Sequence, residues 1–368
     1  MKRVIGLMSG TSLDGVDGAL ITTDGEDVVT QLASSYRAYS AHERAVLQAA
    51  VDTALNWGFS GPQPEFDAAE SVLTRAHADV VGELLGDVML LEDEVDLIGF
   101  HGQTVIHRAP EGGRAGRTLQ IGSGKALAHA TGIPVIFDFR SADMEAGGHG
   151  APLVPLYHEA LVRGADLQGP VAIVNIGGVA NVSWVPEAGD PIAFDTGPGN
   201  GLIDAWMLEH TGKSFDEGGA LAARGAVNET VLEQLMAHAY FSKPPPKSLD
   251  RWDFSLDPVC GLGPEDGAAT LVEFTALSIV QALNSIGQAR QVFITGGGRH
   301  NPVLMQRLSA RLGFKVEPVE AMEWDGDLME AEAFAWLAAR VEKGLPTSLP
   351  STTGCQAPVC GGRRAEPG

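Results

Sequence analysis

The sequence predicts an α/β chain of two domains, and three observations lead there. Its 368 residues exceed what one hydrophobic core usually supports. Short apolar strands alternate with stretches whose apolar residues recur every three or four positions, the order of sheets interleaved with helices. A strand running into a glycine-punctuated turn occurs at the start, again near mid-chain and once more late in the chain.

The first such turn is Gly6-Leu7-Met8-Ser9-Gly10-Thr11-Ser12-Leu13-Asp14-Gly15-Val16-Asp17, after the apolar Val4-Ile5. It reads as a hairpin whose second strand ends near Thr23, with helices next. Helical spacing covers His42 to Trp57 and Phe66 to Leu85. A strand follows over Val95 to Phe100, ending on His101-Gly102-Gln103-Thr104; then come a helix over Gly124 to Thr131 and a strand over Pro134 to Phe137. The polar, glycine-rich passage from Asp138 to Pro155 reads as the crossing between domains. Beyond a helix near Leu156 to Val162, the second turn sits in Val171 to Val185, around Asn175-Ile176-Gly177-Gly178. Helical periods return at Gly201 to Glu209, Asn228 to Ala239 and Leu271 to Ile286, and Pro244-Pro245-Pro246 marks 241–254 as a surface loop. The third turn, Gly296-Gly297-Gly298, ends the strand from Val292, and a helix over Asp327 to Glu342 is the last firm element. The expected domains are 1–140 and 141–350, the last helix being able to pack back on the first. Residues 351–368 form a tail whose final dozen residues should fray.

Glycine permits close approach and positive φ, so these turns can aim backbone N–H groups at phosphate. The first lacks the Gly-Lys-Ser/Thr ending of a Walker loop and the glycine spacing of a dinucleotide fingerprint. A plain β-hairpin turn is the alternative for any one of them. The ordered trio resembles the actin, sugar-kinase and Hsp70 ATPase superfamily, which implies two ribonuclease H-like domains about a deep cleft. The densest cluster is Phe194-Asp195-Thr196-Gly197-Pro198-Gly199-Asn200. There a carboxylate leaves a short strand before a stiff turn, the placement a general base needs. A turn-capping Asp195 is the alternative, and Asp204 reads as a structural or solvent-facing helix residue.

GLMSGTSLDGVD, HGQT at His101 to Thr104, TLQIG at Thr118 to Gly122, DFR at Asp138 to Arg140, GAPLVP at Gly150 to Pro155, NIGG and FDTGPGN occur in order, with Met329-Glu330 and Phe334-Ala335-Trp336 near the end. On these motifs the chain resembles the anhydro-N-acetylmuramic acid kinases over nearly its whole length. The resemblance implies ATP and Mg²⁺ as cofactors and a 1,6-anhydro amino sugar from cell-wall turnover as acceptor. It implies Asp195 as base and Glu330 as the acid residue orienting water or sugar, although Glu330 also fits an ordinary first-turn glutamate. Gly10, Thr11, Ser12, Leu13, Asp14, Gly15, Val16 and Asp17 would hold ATP with Asn175, Gly177, Gly178 and the turn Gly296, Gly297, Gly298. Asp14 would act on magnesium, directly or through water, or else cap its turn. His101, Gln103, Thr104, Arg140, Gly197 and Asn200 would meet the sugar. The family often carries further arginines after the DFR motif, where this chain has Ser141-Ala142.

Composition narrows the partners. A net charge of −22 argues against nucleic acid, whose binding rests on cationic contacts. No apolar run approaches the roughly 20 residues that span a bilayer, and Ser9 to Asp14 interrupt any signal-peptide core, so a cytoplasmic protein without a membrane partner is expected. A homodimer is compatible with all of this. Cys260, Cys355 and Cys360 show no Cys-x-x-Cys spacing, and no His-Glu-x-x-His pattern occurs, so neither a disulfide framework nor a transition-metal site is expected. The expected reaction is bridge opening with phosphorylation of O6, giving N-acetylmuramic acid 6-phosphate. A conventional N-acetylhexosamine or hexose kinase and a chaperone-like ATPase are the alternatives.

Overall fold

The computed structural model describes residues 1–249 and 253–368, so the expected proline loop 241–254 lies partly outside the described residues. The chain divides into two compact units, Met1–Asp166 with Leu328–Gly368, and Leu167–Asp327.

In the first unit β1 (Lys2–Ser9), β2 (Gly15–Thr23) and β3 (Val29–Ala38) precede helices α1 (Ala41–Trp57) and α2 (Asp67–Val88). Then come β4 (Leu97–Arg108), β5 (Arg117–Ile121), α3 (Gly124–Thr131), β6 (Val135–Phe137), α4 (Ser141–Glu145) and α5 (Pro155–Gly164). The second unit holds β7 (Val171–Ile176), β8 (Val179–Val185), β9 (Ile192–Pro198), α6 (Gly201–Thr211), α7 (Glu229–Met236), α8 (Pro264–Ile286), β10 (Gln291–Thr295), α9 (Pro302–Leu312) and β11 (Glu317–Pro318). The chain returns to the first unit with α10 (Met329–Lys343), α11 (Pro350–Thr353) and β12 (Arg363–Ala365).

Both sheets have the same plan. In the first, strands run in the order β3-β2-β1-β4-β6-β12, with β5 also on β4; in the second the order is β9-β8-β7-β10-β11. Each begins as an antiparallel meander of three strands and continues through two parallel ones. This duplicated order is the ribonuclease H-like α/β arrangement the sequence predicts. Strand β3 escaped the sequence reading because, at the sheet edge, its residues are all exposed or half-buried and carry little apolar alternation.

Packing in the first unit depends on two glycines. Ile5, Leu7, Ile98 and Phe100 form a core with Leu73, Val80 and Leu84 of α2. Helix α10 lies against Gly6 and Gly99, where a Cβ would fall 1.8 Å from the Ala331 carbonyl and 2.1 Å from the Phe334 carbonyl. Only glycine lets a helix backbone settle that close to two strands. In the second unit Val174, Val182, Phe194 and Ile294 project from successive strands into a core with Trp206, Phe274 and Ile279. Helix α8 begins seven residues before the expected Leu271 and is long and apolar enough by composition to cross a bilayer. Its residues are mostly buried inside the second unit, the pattern of a core helix.

Several expected boundaries move. The passage 138–155 is not a crossing: the buried Asp143 carboxylate accepts from the Gly150 N–H and from Ser348 Oγ and Thr353 Oγ1, all in the first unit. Polar, glycine-rich composition there serves an internal network rather than a linker. Helix α5 also stays in the first unit, its buried Tyr157 hydroxyl donating to Glu332 at 2.6 Å. The crossings fall at Asp166–Leu167 and Asp327–Leu328 instead of near 140 and 350. The tail is structured, with β12 pairing antiparallel to β6 and the Gly361 N–H bonded to Thr347 Oγ1. A three-residue edge strand carries too little pattern to be read from sequence.

Candidate active site

The first glycine turn joins β1 to β2 and is bolted from beneath. The buried Ser9 hydroxyl donates to Gln103 Oε1 at 2.7 Å and shares a 2.9 Å bond with the Tyr39 hydroxyl. Gln103 Nε2 donates to the Gly10 carbonyl, and the Tyr39 N–H donates to the Asp14 carbonyl. Leu13 is buried with φ +55°, turning the chain so that Thr11, Ser12 and Asp14 are exposed. Asp14 Oδ1 accepts from Ser12 Oγ and the Gly15 N–H, leaving Oδ2 without a hydrogen bond. Gly15 is demanded by packing, since a Cβ there would meet the Arg37 carbonyl at 2.5 Å; Val16 is core and Asp17 pairs across the strands with Met8. At Gly10 a Cβ would touch only Ser12 Oγ, at 3.4 Å. No protein neighbour requires glycine at Gly10, and the space beside its backbone is open to a ligand.

Three glycine segments converge in the second unit. Gly199 and Gly201 donate their N–H groups to the Gly178 carbonyl, and Asn200 donates to the Gly177 carbonyl from its backbone and to the Ile176 carbonyl from Nδ2. A Cβ at Gly199 would sit 2.2 Å from the Gly177 oxygen. Gly296, at φ +73°, lies against Asn175, Gly298 against Ile176, and Gly297 near Asn200 Nδ2. The NIGG turn, the GPGN loop and the late glycine turn are one interlocked body. Within it Gly178 is exposed and a Cβ there would meet nothing within 4 Å, the same signature as Gly10.

Asp195 belongs to this body. It lies inside β9, not at the strand end as expected, because pairing continues to Pro198 past a bulge at Thr196. Strand register sets Thr295, Asn175, Asn181 and Asp195 side by side across β10, β7, β8 and β9. Their neighbours Ile294, Val174, Val182 and Phe194 fill the core, so the polar row occupies the opposite face. Residues 239–249 strap over Asp195: Tyr240 Oη donates to its carbonyl, the Leu249 N–H donates to Oδ2 at 2.7 Å, and its own N–H donates to the Lys247 carbonyl. Burial pushes the Asp195 carboxyl up to about 7, against the lowering effect of the Leu249 bond. Burial also raises Asp204 on α6, to about 6.

The remaining predicted residues lie in the first unit or in supporting roles. His101 is buried and faces the Gly102 carbonyl with Nδ1, so that nitrogen carries the proton and Nε2 accepts from Arg140 at 2.9–3.0 Å. Burial, then the Arg140 charge, hold His101 neutral. Arg140 also donates to the Gly150 carbonyl; burial lowers it to about 10 while Glu330 and Asp143 oppose the shift. Glu330 opens α10 with solvent access, yet the protein around it raises its carboxyl through desolvation, with Arg140 pulling the other way. Gln103 is fully buried with its amide engaged under the first turn, which it supports. Thr104 accepts from Gln120, and Gly197 is packed on Ser278 of α8. A cavity of about 150 Å³ in this unit is lined by His101, Gly102, Gln120, Asp138 and Ser141. Sequence reading passed over Ser9, Tyr39, Asn181 and the strap at Tyr240 and Leu249. Only Asn181 left a trace, as a polar position in the alternating strand Val179 to Val185.

The family model for anhydro-N-acetylmuramic acid kinase matches residues 2–365. The chain belongs to that family. It is 49% identical to the anhydro-N-acetylmuramic acid kinase of Rhizorhabdus wittichii, over 97% of both chains. It is 47% identical to the one of Phenylobacterium zucineum, over 99% of this chain and all of that one. Membership in the anhydro-N-acetylmuramic acid kinase family makes it a phosphotransferase with an alcohol acceptor. Among solved structures it is similar, at 13% identity, to an activator of 2-hydroxyisocaproyl-CoA dehydratase from Clostridium difficile with bound ADPNP (TM-score 0.46, 93% and 96% of the chains covered). It is also similar, at 13% identity, to an inorganic polyphosphate/ATP-glucomannokinase from an Arthrobacter species (TM-score 0.35, 93% and 100% covered).

Proposed function

We propose that this protein opens the 1,6-anhydro bridge of 1,6-anhydro-N-acetylmuramic acid with water and phosphorylates O6 from ATP, giving N-acetylmuramic acid 6-phosphate in the cytoplasm. The observation that carries the reading is Asp195, a carboxyl raised to about 7 and held by the 239–249 strap, on the strand that leads into the Gly199–Gly201 loop bonded to the NIGG turn. A base with that affinity is about half ionised at neutral pH and takes a proton readily.

Opening a glycosidic bond needs a base to activate water and an acid to receive the departing oxygen. The γ-phosphoryl group of ATP replaces the acid. Water oxygen bonds to C1 as its proton passes to Asp195, the C1–O6 bond breaks, and O6 takes the γ-phosphorus as ADP leaves. Phosphoryl transfer asks chiefly for positioning. Backbone N–H groups beside Gly10 and Gly178, where glycine leaves open space, suit the phosphates, and Gly296 to Gly298 suit the nucleoside side. Asp14 Oδ2 fits a magnesium ion, which takes one or two carboxylates with water and phosphate and would neutralise phosphate charge. Arg140, already fixed by His101 and Gly150, and Glu330 suit the acidic and hydroxyl groups of the sugar.

Mass spectrometry of products formed with magnesium-ATP in heavy-oxygen water tests the reading. One solvent oxygen at C1 and one phosphate at O6 are expected; phosphorylation with no solvent oxygen would replace it with a conventional sugar kinase.

A further inference from the structure

Asn181 stands directly opposite Asp195 in the β8–β9 ladder, on the same face of the second sheet. Opposed residues of an antiparallel pair hold their Cβ atoms about 5 Å apart, so their side chains are neighbours on one face and can share a small ligand. Asn181 Oδ1 is buried and accepts no hydrogen bond. An orphaned buried acceptor is costly, and native proteins keep one where a ligand or water completes it. Its row neighbour Thr295 is already satisfied, donating to the Gly326 carbonyl. The open acceptor therefore sits next to the base and nowhere else in that row is one recorded among the described residues.

We propose that Asn181 is a positioning residue for the attacking water, its Oδ1 accepting the water proton that Asp195 does not take. This inference rests on the reading of Asp195 as the base. Water that attacks C1 must turn a lone pair to carbon, so both of its O–H bonds point away and need acceptors. Asp195 receives one proton outright; Asn181 holds the other, which stays on the new C1 hydroxyl of the product. Without Asn181 the water keeps one anchor and rotates about it.

The choice of nucleophile reads this out. Methanol has a single O–H, so in the wild type its methyl group would face the Asn181 amide and water is favoured. In water containing methanol, Asn181→Ala should lower kcat about tenfold, keep ATP affinity, and raise the ratio of methyl glycoside 6-phosphate to reducing sugar phosphate by about tenfold. Asn181→Val, which suits a strand and also lacks an acceptor, should give the same shift if the alanine variant folds poorly. Asn181→Asp retains an acceptor and should keep the low methanol share. A purely structural role would lower both products together, and an unchanged ratio in the alanine and valine variants, with Asp195→Asn inactive, overturns the inference alone. An active Asp195→Asn variant overturns the base reading and this inference with it.

Discussion

Asp195, the proposed base, is a carboxyl whose protonation the surrounding protein has shifted. Asp195→Asn keeps the shape and the Leu249 contact but accepts no proton, so turnover should fall about 10²–10⁴-fold with nucleotide binding intact. Residual turnover within a few-fold of wild type would remove Asp195 from the role. The raised pKa sets the acid limb of the wild-type profile: kcat/KM should climb with pH through about 7, where it reaches half its plateau, and level at about one unit higher. The same shift is linked to stability. Because the folded-state pKa lies above the unfolded one, the folded protein binds more protons between them, and stability falls as pH rises through that window. Asp195→Asn should therefore melt above the wild type at about pH 8, and the gap should close below about pH 4, where the group is neutral in both states. Differential scanning at both pH values checks the sign. The sequence already marked Asp195 by its place before Gly197-Pro198-Gly199. Its raised pKa was not legible, since the burial comes from the strap at 239–249, distant in sequence.

Among the elements, glycines divide into those that packing demands and those it does not. Gly199→Ala places a methyl 2.2 Å from the Gly177 carbonyl, and overpacking of this kind costs about 1–3 kcal/mol. Gly178→Ala meets no protein atom. It should leave the melting temperature within about a degree and weaken ATP binding by crowding the phosphates. Thermal melts with nucleotide titrations separate the two; a destabilised Gly178→Ala with normal ATP binding would make its turn structural only. The last strand offers a second check. Removing residues 361–368 deletes β12 and the Gly361 bond to Thr347, so the melting temperature should drop by several degrees, whereas a frayed tail would be silent.

Over the whole molecule, water attack and phosphoryl transfer share one oxygen, so neither should run alone. With ADP in place of ATP the bridge should stay closed, because O6 has no acceptor, and without sugar the ATPase rate should be weak. Product assays with the anhydro sugar, N-acetylmuramic acid and N-acetylglucosamine at matched concentrations test this coupling. Comparable phosphorylation of all three would sink it.

Local chemistry was legible along the chain because it is local. Glycine turns after apolar strands, helix periods at α1, α2 and α3, and the carboxylate before Gly-Pro-Gly depend on neighbours a few residues away. Tertiary structure alone decided what depends on distant partners. Asp143 drew 138–155 into the first unit through Gly150, Ser348 and Thr353, and Gly6 and Gly99 seated α10 beside β1 and β4. Strand register brought Asn181 against Asp195, because pairing between strands is set by the shared core face and by the bulge at Thr196, which no short stretch of sequence contains.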